Sequence, residues 1–187
     1  MKTALLKIVS EPGSPLTQSR KHSEPKLERE LPDAYDERTW KLHAHVDEKG
    51  RIRIPAFALK CSLVAAAKYS GDQIPGKGKS TWTKKFQCGV IIPEDAITNR
   101  TQSDLRKITI SANSDGVRGS GTRVDRRFPQ LISWEATVKV IIGDEIITKE
   151  RLLQYFSLAG NLIGIGQYRP ENGGTNGRFT VEVISYQ

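Results

Sequence analysis

The sequence has few of the residues on which disulfide-bonded, metal-binding or membrane proteins depend. Cys61 and Cys88 are its only cysteines, which is too few for a disulfide framework or a zinc site, so we expect two reduced thiols. No apolar run approaches the roughly 20 residues that span a bilayer. The apolar run within residues 1–10 is too short for a signal peptide. These absences predict a cytoplasmic protein with no membrane partner.

Recognisable catalytic motifs are also absent. His43 and His45 are two residues apart, but no third ligand stands at a spacing typical of a metal site. Residues 78–80 (Gly-Lys-Ser) resemble the end of a phosphate-binding loop, yet no glycine precedes them at the distance which that motif requires. Neither a nucleophile elbow nor a metalloprotease helix occurs. The sequence therefore predicts a protein that is not an enzyme and that holds no metal or cofactor.

Positive charge is what the sequence has in excess. Its 29 lysines and arginines outnumber 21 acidic residues, which gives a formal net charge of +8 and a pI near 9.6. Such an excess favours a polyanionic partner, nucleic acid first and an anionic membrane second. A basic protein without a polyanionic partner is the alternative.

Two basic segments, 75–85 and 113–128, are predicted to be loops. In the first, lysines surround Trp82. This combination is typical of a surface on which lysines follow a nucleic acid backbone and an aromatic ring stacks on its bases. The alternative is a solvated basic loop with Trp82 in the core. The second is rich in glycine and arginine, and arginine binds phosphates bidentately and stacks on bases. The candidate contact residues of the two loops are Lys77, Lys79, Trp82, Lys84, Lys85, Arg118, Arg123, Arg126 and Arg127.

Hydrophobic periodicity predicts an α+β fold. Strands are predicted over 5–9, 40–46, 52–54, 86–92, 134–141 and 179–184, with a shorter one at 108–110 and an irregular stretch at 97–104. Helices are predicted over 57–69 and 148–159, with Thr148 as N-cap and Gly160 at the end of the second. The order of elements indicates one domain, 1–187, with a ferredoxin-like or RRM-like antiparallel sheet packed against two helices.

Residues 17–38 differ in composition from their surroundings. Charged residues dominate, Pro25 and Pro32 interrupt the segment, and apolar side chains are sparse, so we predict an N-terminal arm outside the core. Arg20 and Lys21 within this arm are candidate phosphate contacts. The arm is either a disordered insert or a segment that docks on a neighbouring subunit.

The loop 164–178 combines five glycines with two arginines between a helix and a strand. Glycine lets the backbone approach a ligand closely, and successive backbone N–H groups form concave sites for anions. We therefore predict that a phosphate chain lies against this loop.

Four features of the sequence point to a known family. They are Gly13-Ser14-Pro15-Leu16 after the first strand, the strand, proline and alanine-rich helix of 50–67, Arg126-Arg127-Phe128-Pro129 ahead of the Trp134 strand, and the glycine-rich loop of 164–179. Together they resemble the RAMP superfamily of RRM-like proteins. The sequence is similar to the backbone subunits that polymerise along guide RNA in CRISPR effector complexes, and to small phage-encoded proteins of the same type.

This resemblance implies a ferredoxin-like core with an inserted loop, and single-stranded RNA bound along a row of identical subunits. It also implies RNA contacts from Lys60 and Lys68 of the first helix, from residues 77–85, and from Arg169 and Arg178 of the glycine-rich loop.

The sequence thus predicts a non-catalytic, single-stranded RNA-binding protein that oligomerises along a guide RNA, with complementary DNA or RNA as a further partner. The same basic loops fit a phage protein that binds or anneals single-stranded DNA. The third hypothesis is a metal-dependent ribonuclease that uses Asp33, Asp36 or Asp125. The argument against it is that aspartates in loops are usually turn residues.

Overall fold

The computed structural model describes residues 1–114, 119 and 121–187. Two antiparallel sheets and four α-helices are formed by these residues. The strands are β1 Lys2–Ser10, β2 Leu16–Thr17, β3 Arg51–Ile54, β4 Val90–Ile91, β5 Ala96–Thr101, β6 Arg106–Asn113, β7 Arg123–Leu131, β8 Glu135–Ile142 and β9 Phe179–Tyr186. The helices are α1 Pro32–Thr39, α2 Ala56–Ser70, α3 Trp82–Gly89 and α4 Lys149–Leu158.

The larger sheet has the strand order β3-β5-β8-β1-β9, and β4 also pairs with β8. Within it β1 lies between β8 and β9, with Leu6 opposite Val138 on one side and Val183 on the other. Because side chains alternate between the two faces of a strand, Leu6 enters the core, whereas Lys7 lies on the opposite face and pairs with Glu135 (Nζ–Oε2 2.8 Å). One face of this sheet is therefore apolar and the other is charged.

Helices α2 and α4 pack against the apolar face, as the sequence predicts. Leu59 and Leu63 of α2 and Leu152 of α4 are buried in the same core cluster. Gly71 ends α2 in the left-handed conformation (φ 64°), which glycine adopts without strain. The two predicted helices are confirmed.

The end of α4 differs from the prediction. Thr148 is the N-cap, and its Oγ1 accepts a hydrogen bond from the Arg151 N–H at 3.3 Å. Gly160 does not end the helix, because a π-helical turn, Ala159–Ile163, continues it as far as Gly164 (φ 72°). A π-turn of this kind often marks a functional site.

The smaller sheet is a long hairpin, β6–β7, to which the short strand β2 adds beside β7. The prediction that 113–128 is a loop is wrong for 123–128, which belong to β7 and pair with β6. Charged residues at 123, 125, 126 and 127 concealed this strand, because charge on both of its faces removes the alternation of apolar and polar residues. Arg118, also predicted to lie in this loop, is outside the described residues.

Four other predicted elements are wrong, and one of them is the loop 75–85, because its residues 82–85 belong to α3. Residues 40–46 begin as a 3-10 turn, Trp40–His43, rather than as a strand. Residues 97–104 are not irregular, since β5 runs to Thr101 with Thr98 facing the core. Most of 86–92 is not a strand, because Phe86 continues α3 and only Val90–Ile91 is extended.

The segment 17–38 contains more regular structure than the sequence predicts. It starts in β2, where Thr17 and Gln18 are buried, and it ends in α1. Arg38 of α1 pairs with Glu24 and Glu30 of the stretch between these two elements, both at 2.8 Å. In the described part of the chain, none of the helices combines the length and apolar character that crossing a bilayer requires.

Candidate nucleic-acid interface

The glycine-rich loop 164–178 is held by the short segment that follows β1. Ser14 Oγ donates a hydrogen bond to the carbonyl of Thr175 and accepts one from the N–H of Arg178 (2.8 Å). The Gly177 N–H donates to the Pro15 carbonyl at 2.9 Å. Two of the four family-like features of the sequence, residues 13–16 and 164–179, are therefore one structural unit.

Several glycines in this loop, Gly166 and Gly177 among them, have no room for a side chain. A Cβ on Gly177 (φ 71°) would lie 1.8 Å from the carbonyl oxygen of Ile165, and a Cβ on Gly166 (φ 77°) would lie 2.4 Å from that of Thr17. Contacts this short with backbone atoms do not occur in proteins. The loop can therefore pack closely against both β2 and itself only with glycine at these positions.

The loop forms one wall of an open groove with a volume of about 1030 Å³. The second wall is the first half of α2, and the third is the end of the β6–β7 hairpin. Its lining residues are Ser19, Phe57, Ala58, Cys61, Ser62, Ala65, Ala112, Asn113, Gly119, Arg123, Gly164, Ile165, Gly166, Gln167, Tyr168, Arg169, Glu171 and Asn172. The face of α2 in this groove consists mainly of small residues, so an extended ligand can lie against the helix backbone.

Exposed aromatic rings lie at the edges of the groove. Phe57, in the first turn of α2, is 78% exposed, and Tyr168, in the glycine-rich loop, is 37% exposed. Tyr168 has a positive φ of 58°, which is uncommon outside glycine and occurs often at functional sites. Partial burial raises the pKa of Tyr168, so its hydroxyl remains protonated at neutral pH.

The two arginines of the groove differ in their charge balance. The Arg123 guanidinium donates to the carbonyl of Ser111 at 2.7 Å, and no acidic side chain among residues 1–114, 119 and 121–187 pairs with it. Arg169 pairs with the carboxylate of Glu171 (Nη2–Oε2 2.6 Å) and also donates to the Gly166 carbonyl. Arg123 therefore contributes more positive potential to the groove than Arg169 does.

This arrangement occurs in a known fold. No protein-family profile and no curated protein matches the sequence. Among solved structures, Cmr6 from Pyrococcus furiosus superposes with a TM-score of 0.52 at 13% identity, over 96% of this chain and 97% of Cmr6. The chain has the fold of Cmr6. The predicted likeness to RAMP proteins, and with it the antiparallel, ferredoxin-like α+β fold, is confirmed.

Two larger assemblies also contain similar chains. One is the Type III-B Cmr-beta complex bound to cognate target RNA, with a TM-score of 0.49 at 13% identity over all of this chain and 60% of the other. The second is a CRISPR RNA-guided surveillance complex, with a TM-score of 0.37 at 8% identity over 91% of this chain and 65% of the other.

Within this Cmr6-like fold, the predicted contact residues separate into three groups. Arg123 and Arg169 line the groove. A second group is exposed elsewhere and comprises Arg20, Lys21, Lys68, Lys77, Lys79 and Lys84. The third group contacts other parts of the protein and comprises Lys60, Trp82, Lys85, Arg126, Arg127 and Arg178. Arg118 lies outside the described residues.

Trp82 is the clearest correction to the sequence analysis. It is only 4% exposed and packs near Phe86 and Tyr155 (ring centroids 6.4 Å from each), while the Arg151 guanidinium lies 4.8 Å above its ring. A base cannot stack on this side chain without partial unfolding of α3, so the interpretation of Trp82 as a stacking residue is wrong.

Arginines 126 and 127 form ion pairs with α1. Arg127 bonds to Asp33 (2.7 Å) and Glu37 (2.8 Å), and its backbone N–H donates to the buried carboxylate of Asp36 (2.7 Å). Hydrogen bonding to Asp33 raises the pKa of Arg127. Arg126 lies 3.9 Å from Asp36. These contacts fasten the hairpin to α1 and neutralise charge that the sequence analysis assigned to RNA.

Three further predicted residues have protein partners. Lys85 pairs with Asp144 at 2.9 Å, and Arg178 lies 3.2 Å from the Glu11 carboxylate. Lys60 Nζ donates to the carbonyls of Phe86 (2.6 Å) and Val90 at the end of α3. Burial lowers the pKa of Lys60, which is consistent with a side chain directed into the protein.

We expect the Lys60→Met variant to lose stability and to keep its affinity for RNA. Methionine retains the aliphatic stem but leaves two carbonyls at the end of α3 without their donor, so the free energy of unfolding should fall by about 1–2 kcal/mol. Lys68→Met, at an exposed position of the same helix, is the control and should change stability by less than about 0.5 kcal/mol. Urea denaturation measures both, and an unchanged Lys60→Met midpoint would contradict the assignment.

Sequence reasoning missed the two exposed aromatics of α2. The buried residues of this helix include Leu59, Leu63 and Ala66, which repeat at helical spacing. Phe57 and Tyr69 fall outside that face and are 78% and 70% exposed. The periodicity of the apolar residues is the signal that distinguishes Phe57 and Tyr69 from the core residues.

Proposed function

We propose that this chain is a non-catalytic protein that binds single-stranded RNA in the groove between α2, the glycine-rich loop and the β6–β7 hairpin. We further propose that several copies assemble along one guide RNA, as a component of a CRISPR-type complex. The observation that carries the proposal is the groove itself, in which bare backbone, exposed aromatic rings and an arginine with no acidic partner in the described part of the chain line one open channel.

Each wall of the groove suits a different part of a nucleotide. The glycine-rich loop offers backbone without side chains, so a sugar–phosphate chain can approach it closely. Phe57 and Tyr168 offer exposed rings, and stacking of a base on an aromatic ring stabilises single-stranded complexes without sequence preference. Arg123 supplies a positive charge for a phosphate. Together these contacts leave base edges available for pairing.

The fold and the charge support the same proposal. Cmr6, whose fold the chain shares over nearly its whole length, is a subunit of a CRISPR complex. The net charge of +8 favours a long polyanion over a small ligand. A groove that is open at the surface also lets one strand continue beyond a single protomer, which assembly along a guide requires.

The carboxylates favour binding over RNA cleavage. Asp33 and Asp36 are held by Arg127, and in the described residues no three His, Cys, Asp or Glu side chains are grouped so as to bind a metal ion. Asp125 lies on β7 opposite Ser111. We therefore expect labelled RNA to remain intact when it is incubated with the protein and magnesium.

The two cysteines provide a direct test of the binding site. Cys61 lines the groove, Cys88 lies on α3 outside it, and both are exposed. We expect a saturating single-stranded RNA of about 5 nucleotides, short enough to occupy the groove alone, to slow alkylation of Cys61 by about tenfold or more and to leave Cys88 unchanged. Equal protection of both thiols, or of neither, would contradict binding in the groove.

Binding measurements with variants complete the test. We expect Phe57→Ala and Arg123→Ala each to weaken RNA affinity about tenfold or more, because each removes a stacking or phosphate contact. Leu31→Ala is the matched control, since Leu31 is 71% exposed but lies outside the groove. A DNA of the same sequence should bind more weakly, and equal affinity would favour the single-stranded DNA-binding hypothesis. Light scattering with RNAs of increasing length should show additional bound copies.

A further inference from the structure

A strongly basic surface lies at the far end of α2 from Phe57. The segment 68–85 holds five lysines and a single acidic residue, Asp72, so it accounts for a net charge of +4. Four of its lysines are exposed and form no ion pair within the part of the chain that the structure describes. These are Lys68, Lys77, Lys79 and Lys84.

An exposed aromatic ring belongs to the same segment and directly follows Lys68 in the chain. Tyr69, in the last turn of α2, is 70% exposed, whereas Trp82 of the same segment is buried. Exposed lysines together with an exposed ring are the features that proteins use to follow a single strand without reading its sequence. We name Lys68, Tyr69, Lys77, Lys79 and Lys84 the lysine patch.

Helix α2 connects the lysine patch to the groove. Ala58, Ser62, Ala65 and Tyr69 are spaced by four, three and four residues, so they form one row along the helix. The first three line the groove, and Tyr69 follows Ala65 after one turn. At about 1.5 Å per residue, the row from Ala58 to Tyr69 is about 16 Å long.

The loop that carries Lys77 and Lys79 has a defined attachment to the protein. The Trp82 N–H bonds to the Asp72 carbonyl, and the Ile74 N–H bonds to that of Ser80 (2.8 Å). Asp72 also accepts from the hydroxyl of Tyr155. The lysines therefore extend from a closed loop whose base is fixed next to the end of α2.

We propose that the lysine patch is a second RNA-binding surface, which holds the strand where it leaves the groove. The inference rests on the proposed function, and it adds a sequence-independent site with Tyr69 as its stacking residue. Four lysine charges outweigh the partial negative charge at the C-terminal end of α2. A strand in the groove would follow the row of small residues to Tyr69 and reach the lysines without leaving the surface of the helix.

RNA length distinguishes the lysine patch from the groove. A variant with alanine at Lys68, Lys77, Lys79 and Lys84 should bind an RNA of about 5 nucleotides with the affinity of the wild type, because this RNA is held by the groove alone. The same variant should bind an RNA of about 15 nucleotides at least tenfold more weakly. Because each single-strand phosphate contact contributes about 0.7 to the salt dependence, the slope of log K against log salt should fall by up to about 2.8 for the long RNA.

The control removes equal charge elsewhere. Lys26, Lys49, Lys139 and Lys149 are exposed and lie outside both the groove and the lysine patch, so their replacement by alanine should change long-RNA affinity by less than about threefold. An equal loss in both variants would show general charge attraction and overturn the proposal. Tyr69→Ala should weaken long-RNA binding about fivefold or more, and Tyr69→Phe should restore it, because stacking requires the ring and not the hydroxyl.

The outcomes also separate this proposal from the proposed function. If the wild type binds neither RNA, the groove assignment fails. If the wild type binds both RNAs and the four-lysine variant matches it on the long one, only the lysine patch is overturned. Circular dichroism of each variant checks that its fold is intact.

Discussion

Replacement of Gly177 by alanine is expected to lower the free energy of unfolding by about 3 kcal/mol or more and to abolish RNA binding. Two effects act together at this position. The positive φ of 71° is unfavourable for alanine by about 1–2 kcal/mol, and the new Cβ would lie 1.8 Å from the Ile165 carbonyl oxygen. The backbone has to move to relieve this contact, which adds about 1–3 kcal/mol. Because residues 164–172 line the groove, the shift should also disrupt the binding site.

Gly173 supplies the matched control for this experiment. It lies in the same loop with a similar φ of 79°, but a Cβ there would have no atom within 4 Å. Gly173→Ala should therefore lower the free energy of unfolding by only about 1 kcal/mol, the cost of a positive φ for alanine. Chemical denaturation followed by RNA titration measures both variants. If the two glycines respond equally, the close packing of the loop is not what positions it.

Replacement of Asp36 by alanine is the second change for which we expect a large effect. The Asp36 carboxylate is 5% exposed, accepts the Arg127 backbone N–H at 2.7 Å and lies 3.6 Å from the Arg127 guanidinium. Loss of this carboxylate leaves the Arg127 N–H without an acceptor. It also removes one of the negative charges that balance the largely buried Arg127 guanidinium. We expect the free energy of unfolding to fall by about 3 kcal/mol.

Asp33 provides a direct comparison, because it bonds to the same guanidinium from solvent. Its side chain is 75% exposed, and exposed ion pairs contribute at most about 1 kcal/mol. Asp33→Ala should therefore have a small effect. Hydrogen exchange should show lost protection in β6 and β7 for Asp36→Ala alone, and equal effects of the two substitutions would contradict the assignment of α1 as the support of the hairpin.

The long periodic elements could be predicted from the sequence. Alternation in 134–141 and 179–184 and helical spacing in 57–69 each extend over enough residues to identify one structure. Short segments could not be assigned in this way. Trp82 and Phe86 are one helical turn apart, but the lysines between them also fit a loop, and only burial against Tyr155 decides in favour of a helix.

The site was predictable in its parts but not in its assembly. The glycine-rich loop and residues 13–16 were each identified, whereas their hydrogen bonds depend on distances in space that spacing along the chain does not contain. Arg127 illustrates the opposite outcome. An arginine suggested a phosphate contact, but the partners of Arg127 lie on α1. One of them, Asp36, accepts a hydrogen bond from the Arg127 N–H and precedes it by 91 residues. Net charge therefore predicts a polyanionic ligand, but it does not indicate which arginines already have acidic partners within the protein.

The bond between Ser14 and Arg178 joins residues 164 positions apart. A nascent chain can form this bond only after residue 178 has emerged from the ribosome. Contacts between distant parts of a chain also form slowly after release. We therefore expect a polypeptide that still lacks residue 178 to lack the glycine-rich wall of the groove and, under the proposed function, not to bind RNA.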